Sequence, residues 1–442
     1  MPALKVLKFG GSSMASAAQY AKVKSIVEAD EARTVVVVSA AGKRTKDDHK
    51  VTDLLYLCHA HMKYGVSCDS VFGMISQRYL EIRDELGLRT DLEGELQKIR
   101  DAMDNGISEA ALASRGEYLS ALLMADYLGF EFVDATRWLR FRMDGTVDQE
   151  WSYAALRELA KGKRIVIPGF YGAMADGSIH TFSRGGSDIT GALAAAALDA
   201  EVYENWTDVS GILMADPRIV EDPEPIPFVT YTELRELSYL GAQVLHEDTI
   251  FPVSEKNIPL NIRNTNDPSH PGTIIMERFE DGDEPADERR FITGIAGKKD
   301  YAVVSISKRG LSSQIGAIRR IYEIFEGHGL AVEYTPNGID TYSLVVSGSR
   351  LEKVLHSIVS QLQEKLSPDE IQVTRDIAVV AAVGRRMANR PGIPGRIFSA
   401  LGREGINIRL ISQGPQGVNV IFGVDGKDYT AAVRVLYDSF VK

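Results

Sequence analysis

Cysteine is scarce: Cys58 and Cys68 are the only two in 442 residues. Two thiols supply neither a disulfide framework nor a second ligand cluster for a structural metal. They read as reduced thiols, and the expected compartment is cytoplasmic. Positive charge is also in deficit. Fifty Lys and Arg against 61 acidic residues leave a net charge of −11, which excludes nucleic acid as a main partner, because phosphate backbones need a basic face. A small phosphate ligand stays open, since backbone N–H groups and a few local cations can hold one. Long apolar runs are missing. The longest, residues 34–41, is strand-sized, so no membrane partner is expected, and no leader-like segment precedes the run that starts at Leu4. The sequon Asn205-Trp206-Thr207 then lacks a secretory context and reads as a chance match. The P-loop spacing is absent too.

What is present is ordinary in bulk. Apolar residues at 44% and charged residues at 25% suit a globular chain of two or three compact units. Strand-like runs at Lys5–Phe9, 34–39, 130–134, 164–168, 201–207 and Leu260–Asn264 alternate with helical spacing at 16–28, 53–61, 117–127, 152–161 and 188–198. This alternation predicts an α/β domain over residues 1–280, with a mostly parallel sheet covered by helices on both faces. Ligands of such sheets gather at the carboxyl ends of the strands.

Residues 277–290, ERFEDGDEPADERR, carry ten charged side chains of fourteen. They read as a solvated linker, with the boundary at 281–290. An internal repeat follows at an offset of 76: Ala302-Val303-Val304 matches Ala378-Val379-Val380, and Ile321, Gly329, Leu330 and Val332 match Ile397, Gly405, Ile406 and Ile408. Each copy reads strand, glycine-containing loop, helix, strand, strand, helix. The first copy has a closing strand at 370–374 and the second does not, while a spare strand stands at 291–296. Parity predicts that 291–297 completes the second module, 376–442, and so interleaves it with the first, 298–375.

Chemistry is concentrated in four segments. Lys8-Phe9-Gly10-Gly11-Ser12-Ser13 places two glycines and a cation between a strand and a helix, a cradle for a phosphate with Lys8 ready to follow charge onto a transferring phosphoryl group. Ser183-Arg184-Gly185-Gly186-Ser187-Asp188 repeats the device, with Asp188 placed to act on nearby cations. As plain structure, a Gly-Gly turn or an Asp cap is commoner than a site; two such turns in one sheet are harder to dismiss. Ser114-Arg115-Gly116-Glu117 opens a helix, where a first-turn Glu usually serves the dipole. Thr207-Asp208-Val209-Ser210-Gly211-Ile212, leading to Asp216-Pro217-Arg218, is a loop after a strand. No residue is assigned to a metal: His246-Glu247-Asp248 has no second histidine at helical spacing, and His59 and His61 face different sides of their helix.

Together KFGGSS, SRGE, SRGGSD and TDVSGI…DPR, in this order, resemble the aspartate kinases of the amino-acid kinase fold, and the repeated modules resemble their tandem ACT domains. The resemblance spans essentially the whole chain. It implies ATP, carried with Mg²⁺, and L-aspartate as substrates, with 4-phospho-L-aspartate as product at the entry to lysine, threonine and methionine synthesis. It gives Lys8, Gly10, Gly11 and Ser12 to the phosphates, with Lys8 and Asp188 catalytic. It gives Thr52, Glu117 and Arg184 to aspartate, and Thr207, Asp208, Leu213, Arg218 and Gln243 to the nucleotide. Gln243 stands where many relatives have Lys, Leu213 where many have an aromatic residue, and the loop 43–50 is placed to lid the substrate site. In the first module the resemblance points to an effector site at Gln314, Gly316, Ile318, Val332 and Glu333. Lysine is favoured there, because Glu333 suits a second amino group, and threonine is the alternative. A homodimer or homotetramer is expected, and a monofunctional chain without a dehydrogenase segment. The rival readings are another carboxylate or carbamate kinase of this fold and a catalytically weak amino-acid sensor.

Overall fold

The computed structural model describes residues 4–183, 185–241, 247–279, 291–387, 390–414 and 417–441. They fall into two compact units. One comprises Met1–Ile212, Pro227–Tyr231 and Leu245–Glu280, the other Leu213–Ile226, Thr232–Val244 and Asp281–Lys442. Leu213–Ile226 and Thr232–Val244, inside the expected 1–280 domain by sequence, thus pack with the C-terminal unit.

The main sheet of the first unit is built from Lys5–Phe9 (β1), Arg33–Val38 (β2), Glu131–Phe132 (β3), Ile165–Pro168 (β4), Val202–Thr207 (β5), Phe228–Thr230 (β6), Leu260–Asn264 (β7) and Thr273–Met276 (β8). The strand order is β6-β8-β7-β5-β1-β2-β4-β3. All pairings are parallel except β7 with β8. Central strands are apolar on both sides, as in the RTVVVV run of β2, because helices cover both faces. Leu7, Phe9, Val36, Val38 and Trp206 face one way, into a core shared with the helices Ala17–Glu28 (α1), Val51–Lys63 (α2), Asp69–Leu86 (α3) and Arg115–Leu128 (α4). By the two-residue period, Lys8 and Asn205 face the other way, where Gly186–Ala197 (α5) packs on β1 and β5. The helix α5 is nearly all small and buried. A Cβ on Gly191 would stand 2.4 Å from the Tyr203 hydroxyl, so glycine there lets helix and strand close up.

Three helices, α3, Leu92–Asp104 and Glu109–Ala113, fill the stretch between 62 and 116, where sequence reading named none. The signal was present in α3, whose buried Val71, Phe72, Ile75, Tyr79 and Ile82 recur at three- and four-residue steps.

The second unit carries a five-stranded antiparallel sheet of Gly294–Ser307 (β9), Thr341–Ser347 (β10), Glu370–Val383 (β11), Leu410–Ser412 (β12) and Asn419–Asp425 (β13), in the order β10-β9-β11-β13-β12. The two long strands each serve both modules. Residues 294–298 of β9 pair with 379–383 of β11, and 303–307 pair with 370–374. The early segment therefore closes the second repeat, which is the interleaving that strand parity predicts. The strand expected at Val332 and Glu333 is reduced to two isolated bridges, Tyr334 with Val345 and Asn337 with Tyr342.

Candidate active site

Parallel register sets the centre of the site. In the β1–β5 pairing Lys8 lies directly beside Asn205. Asp188, in the first turn of α5, comes down on both. The Lys8 ammonium is 2.5 Å from Asp188 Oδ1 and donates to Asn205 Oδ1 at 3.4 Å, while Asn205 Nδ2 donates to Asp188 Oδ1 at 2.9 Å. Lys8 is 7% exposed and Asn205 3%, while the Asp188 side chain keeps 21% of its surface open, so charge here is screened less than at the open surface.

The glycine turn beside it is real, with one correction. Gly10 and Gly11 do not lead straight into an α-helix: Gly11–Met14 is a single 3-10 turn, and α1 begins at Ala17. Gly10 N–H donates to Trp206 O at 3.0 Å, and a Cβ on Gly10 would stand 3.7 Å from the Lys8 ammonium. The missing side chain leaves the ammonium open toward the turn. Gly11 is locked to the loop after β2: Gly42 N–H donates to Gly11 O at 2.8 Å, and a Cβ on Gly42 would lie 2.6 Å from Gly11 C. Sequence reading missed both Gly42 and Asn205.

Across the same β2 loop lies Glu117, 5% exposed at the start of α4. Burial pushes its carboxyl up to about 8, and hydrogen bonds from the Ala40 and Glu117 N–H groups and the charge of Arg115 recover only part of that. Its Oε2 is buried without a partner. A buried acid with an empty acceptor is a receptor for a cation. Thr52 sits in the first turn of α2, whose Val51 N–H donates to Ala41 O at 3.0 Å. In the 43–50 loop, Arg78 binds Asp48 at 2.7 Å and donates to Gly42 O at 2.9 Å, so the loop is anchored to α3.

Lys8, Gly10, Gly11, Ser12, Thr52, Glu117, Asp188, Thr207 and Asp208 all belong to the first unit. Lys8 is in contact with Asp188 and lies beside Gly10 of the glycine turn, and Glu117 and Thr52 border the neighbouring loop. Thr207 ends β5, and its hydroxyl donates to Asp208 Oδ1 at 3.2 Å. Leu213 and Arg218 pack with the second unit. There the Arg218 guanidinium is engaged by Asp216 at 2.7 Å. Arg184 and Gln243 lie outside the described residues.

The profile of the Amino acid kinase family matches residues 3–264, and an ACT domain profile matches residues 380–440. Aspartokinase 3 of Bacillus subtilis is 36% identical across 99% of this chain and 98% of its own length. The chain belongs to the aspartokinase family. The crystal structure of Clostridium acetobutylicum aspartate kinase superposes with a TM-score of 0.92 at 46% identity, covering 99% of this chain and all of that one. Aspartokinase III of E. coli, solved in complex with lysine and aspartate in a T-state, gives a TM-score of 0.74 at 25% identity over 99% of this chain.

In this aspartokinase the effector-site candidates lie on the first module. Gly316 caps Ala317–Gly327 (α6) with φ of 79°, in the left-handed region that favours glycine. Gln314 O accepts from Ala317 N–H at 3.1 Å, and Ile318 is half exposed. Val332 packs on the module core. The Glu333 carboxylate accepts a hydrogen bond from the Tyr239 hydroxyl within the same unit. Among the described residues no helix is long and apolar enough to cross a membrane.

Proposed function

We propose that the chain transfers the γ-phosphoryl group of ATP to the side-chain carboxylate of L-aspartate, giving 4-phospho-L-aspartate and ADP. The observation that carries this reading is the pairing of buried Lys8 with half-buried Asp188 at the mouth of the Gly10-Gly11 turn, with the acceptor of Glu117 empty across the β2 loop. Its support from relatives is the full-length similarity to aspartokinases.

The substrate carboxylate is itself the nucleophile, so the protein's part is position and charge. Lys8 neutralises the phosphoryl oxygens as negative charge develops, and Asp188 keeps the ammonium aimed. Glu117 yields its proton and receives the aspartate ammonium, while Arg184 and Thr52 take its carboxylate end. Ser12, Thr207, Asp208, Leu213, Arg218 and Gln243 are the nucleotide contacts in this reading. Among the described residues no three His, Cys, Asp or Glu side chains cluster as a metal site. A Mg²⁺ carried with ATP would be held by nucleotide oxygens and water and would supply charge neutralisation.

By this reading residues 1–280 form the catalytic domain, although Leu213–Ile226 and Thr232–Val244 pack in the second unit; the linker at 281–290 lies outside the described residues, and 298–375 with 376–442 and 291–297 form the two ACT modules. The modules pair in a homodimer or homotetramer. Lysine, or in second place threonine, binds at Gln314, Gly316, Ile318, Val332 and Glu333 and inhibits. An ATP-consumption assay over aspartate, glutamate and acetylglutamate tests the reaction. Turnover confined to aspartate is expected; turnover with another carboxylate, or with none, overturns the reading.

A further inference from the structure

Asn205 is a polar side chain in the middle of a sheet strand whose neighbours in sequence are buried on both sides. Its place makes sense only through what it touches. The β1–β5 register sets it beside Lys8, and its two amide ends point to unlike partners. Oδ1 accepts from the Lys8 ammonium at 3.4 Å, and Nδ2 donates to Asp188 Oδ1 at 2.9 Å. An amide is the one uncharged side-chain group that can meet a cation with its oxygen and an anion with its nitrogen, so the orientation is fixed by its partners. Tyr203, two residues earlier, donates from its hydroxyl to the Asp188 main-chain carbonyl at 3.0 Å, tying the start of α5 to the same strand.

We propose that Asn205 is a positioning residue for phosphoryl transfer, acting through Lys8 and Asp188. This rests on the reaction proposed above. In the resting site Asp188 Oδ1 receives two donors, Lys8 at 2.5 Å and Asn205. As charge builds on the transferred group, the Lys8 ammonium swings toward it and loosens its hold on Asp188. Asn205 then still satisfies Asp188 through Nδ2 and still offers Oδ1 to the ammonium. Both ends of the ion pair keep a partner throughout the swing, so neither a bare buried charge nor a side-chain search obstructs the step.

The prediction separates positioning from mere packing. Asn205→Leu keeps the branching at Cγ and removes both amide contacts. It should lower kcat on the order of 100-fold, the scale of a misplaced catalytic group, with KM for ATP and for aspartate within about threefold, because uniform binding is not what is lost. Asn205→Asp supplies the second readout. Its ionised carboxylate faces Asp188 and Lys8, with the Tyr203 hydroxyl nearby, and the two like charges share a proton more readily as pH falls. Once protonated, the new carboxyl at position 205 donates to Asp188 and accepts from Lys8 as the amide does. The ratio of its kcat to that of the unmutated enzyme should therefore climb as pH falls from 8.5 to 6. A kcat within twofold for Asn205→Leu, or a pH-independent ratio for Asn205→Asp, overturns the proposal while leaving the reaction intact. Should Asn205→Leu fail to fold, as judged by circular dichroism, the pH ratio of Asn205→Asp decides alone. Absence of aspartate phosphorylation by the unmutated enzyme would instead remove the underlying reading.

Discussion

Glu117 holds a proton that an arriving ammonium must displace. Its ordinary value is 4.5 and burial raises it to about 8. The unfolded chain releases this proton near the ordinary value and the folded chain only near 8, so between those limits the folded state carries the extra proton. Stability therefore falls as pH rises from about 4.5 toward 8 and is flat above. Glu117→Gln mimics the protonated form and should abolish that slope, gaining on the order of 4 kcal/mol over the unmutated protein near pH 8 in denaturant titrations; equal slopes in both proteins would contradict the assignment. Aspartate binding should release a proton, with apparent affinity rising about tenfold per pH unit below 8. Calorimetry in buffers of different ionisation enthalpy measures that release directly. Lys8 calls for a different readout. Lys8→Ala removes the charge facing the phosphoryl group and should cost about 3 kcal/mol of transition-state stabilisation; a folded variant turning over normally would exclude Lys8 from the mechanism. Both residues were marked in the sequence by motif. Asn205 was not, because a polar residue in a strand has meaning only once register shows what stands beside it.

At the scale of elements, the site is a meeting of loops. The turn after β1 and the loop after β2 touch backbone to backbone at Gly11 and Gly42, and Gly116 lets the start of α4 press on that loop, since a Cβ there would stand 2.7 Å from Ala40 Cβ. Gly10-Gly11 was legible as a doublet between strand and helix, whereas Gly42 is a single glycine whose need is set by a partner 31 positions away. Alternating strands and helices exposed the parallel sheet, and the offset repeat with its unpaired strand exposed the interleaved modules, because both follow from periodicity along the chain. The assignment of Leu213–Ile226 and Thr232–Val244 to the second unit follows from packing that periodicity does not encode. Gly42→Ala tests the loop contact. The added methyl cannot be accommodated by a side chain turning aside, because the atoms it meets are main chain. It should cost about 1–3 kcal/mol of stability by overpacking and lower kcat/KM at least tenfold by separating the two loops. An active Gly42→Ala with an unshifted melting temperature would show that the loops are free to part.

At the scale of the whole molecule the question is what an effector must undo. The helix Tyr231–Tyr239 precedes Gln243 in the chain, yet its residues from Thr232 onward pack in the regulatory unit. Glu233, fully buried, accepts from Thr293 Oγ1 at 2.7 Å and is paired with Arg385 at 2.8 Å. Glu236 accepts from Asn419 Nδ2 at 2.6 Å, and Tyr239 closes the series by donating to Glu333. This last contact engages Oε2 of the carboxylate that the proposed effector's amino group would need. A lysine amino group seeking that oxygen competes with the Tyr239 hydroxyl for it, so the state with the bond intact is the one lysine must overcome. Tyr239→Phe removes the competitor and keeps the ring. Tyr239 is largely exposed, so the bond is worth about 1 kcal/mol net, and half-maximal inhibition by lysine should move to roughly fivefold lower concentration, with turnover in its absence unchanged. Glu333→Ala should abolish inhibition in either background. An unshifted midpoint in Tyr239→Phe would show that the tyrosine and lysine do not compete, and lysine leaving the unmutated enzyme untouched would remove Glu333 as an effector contact altogether.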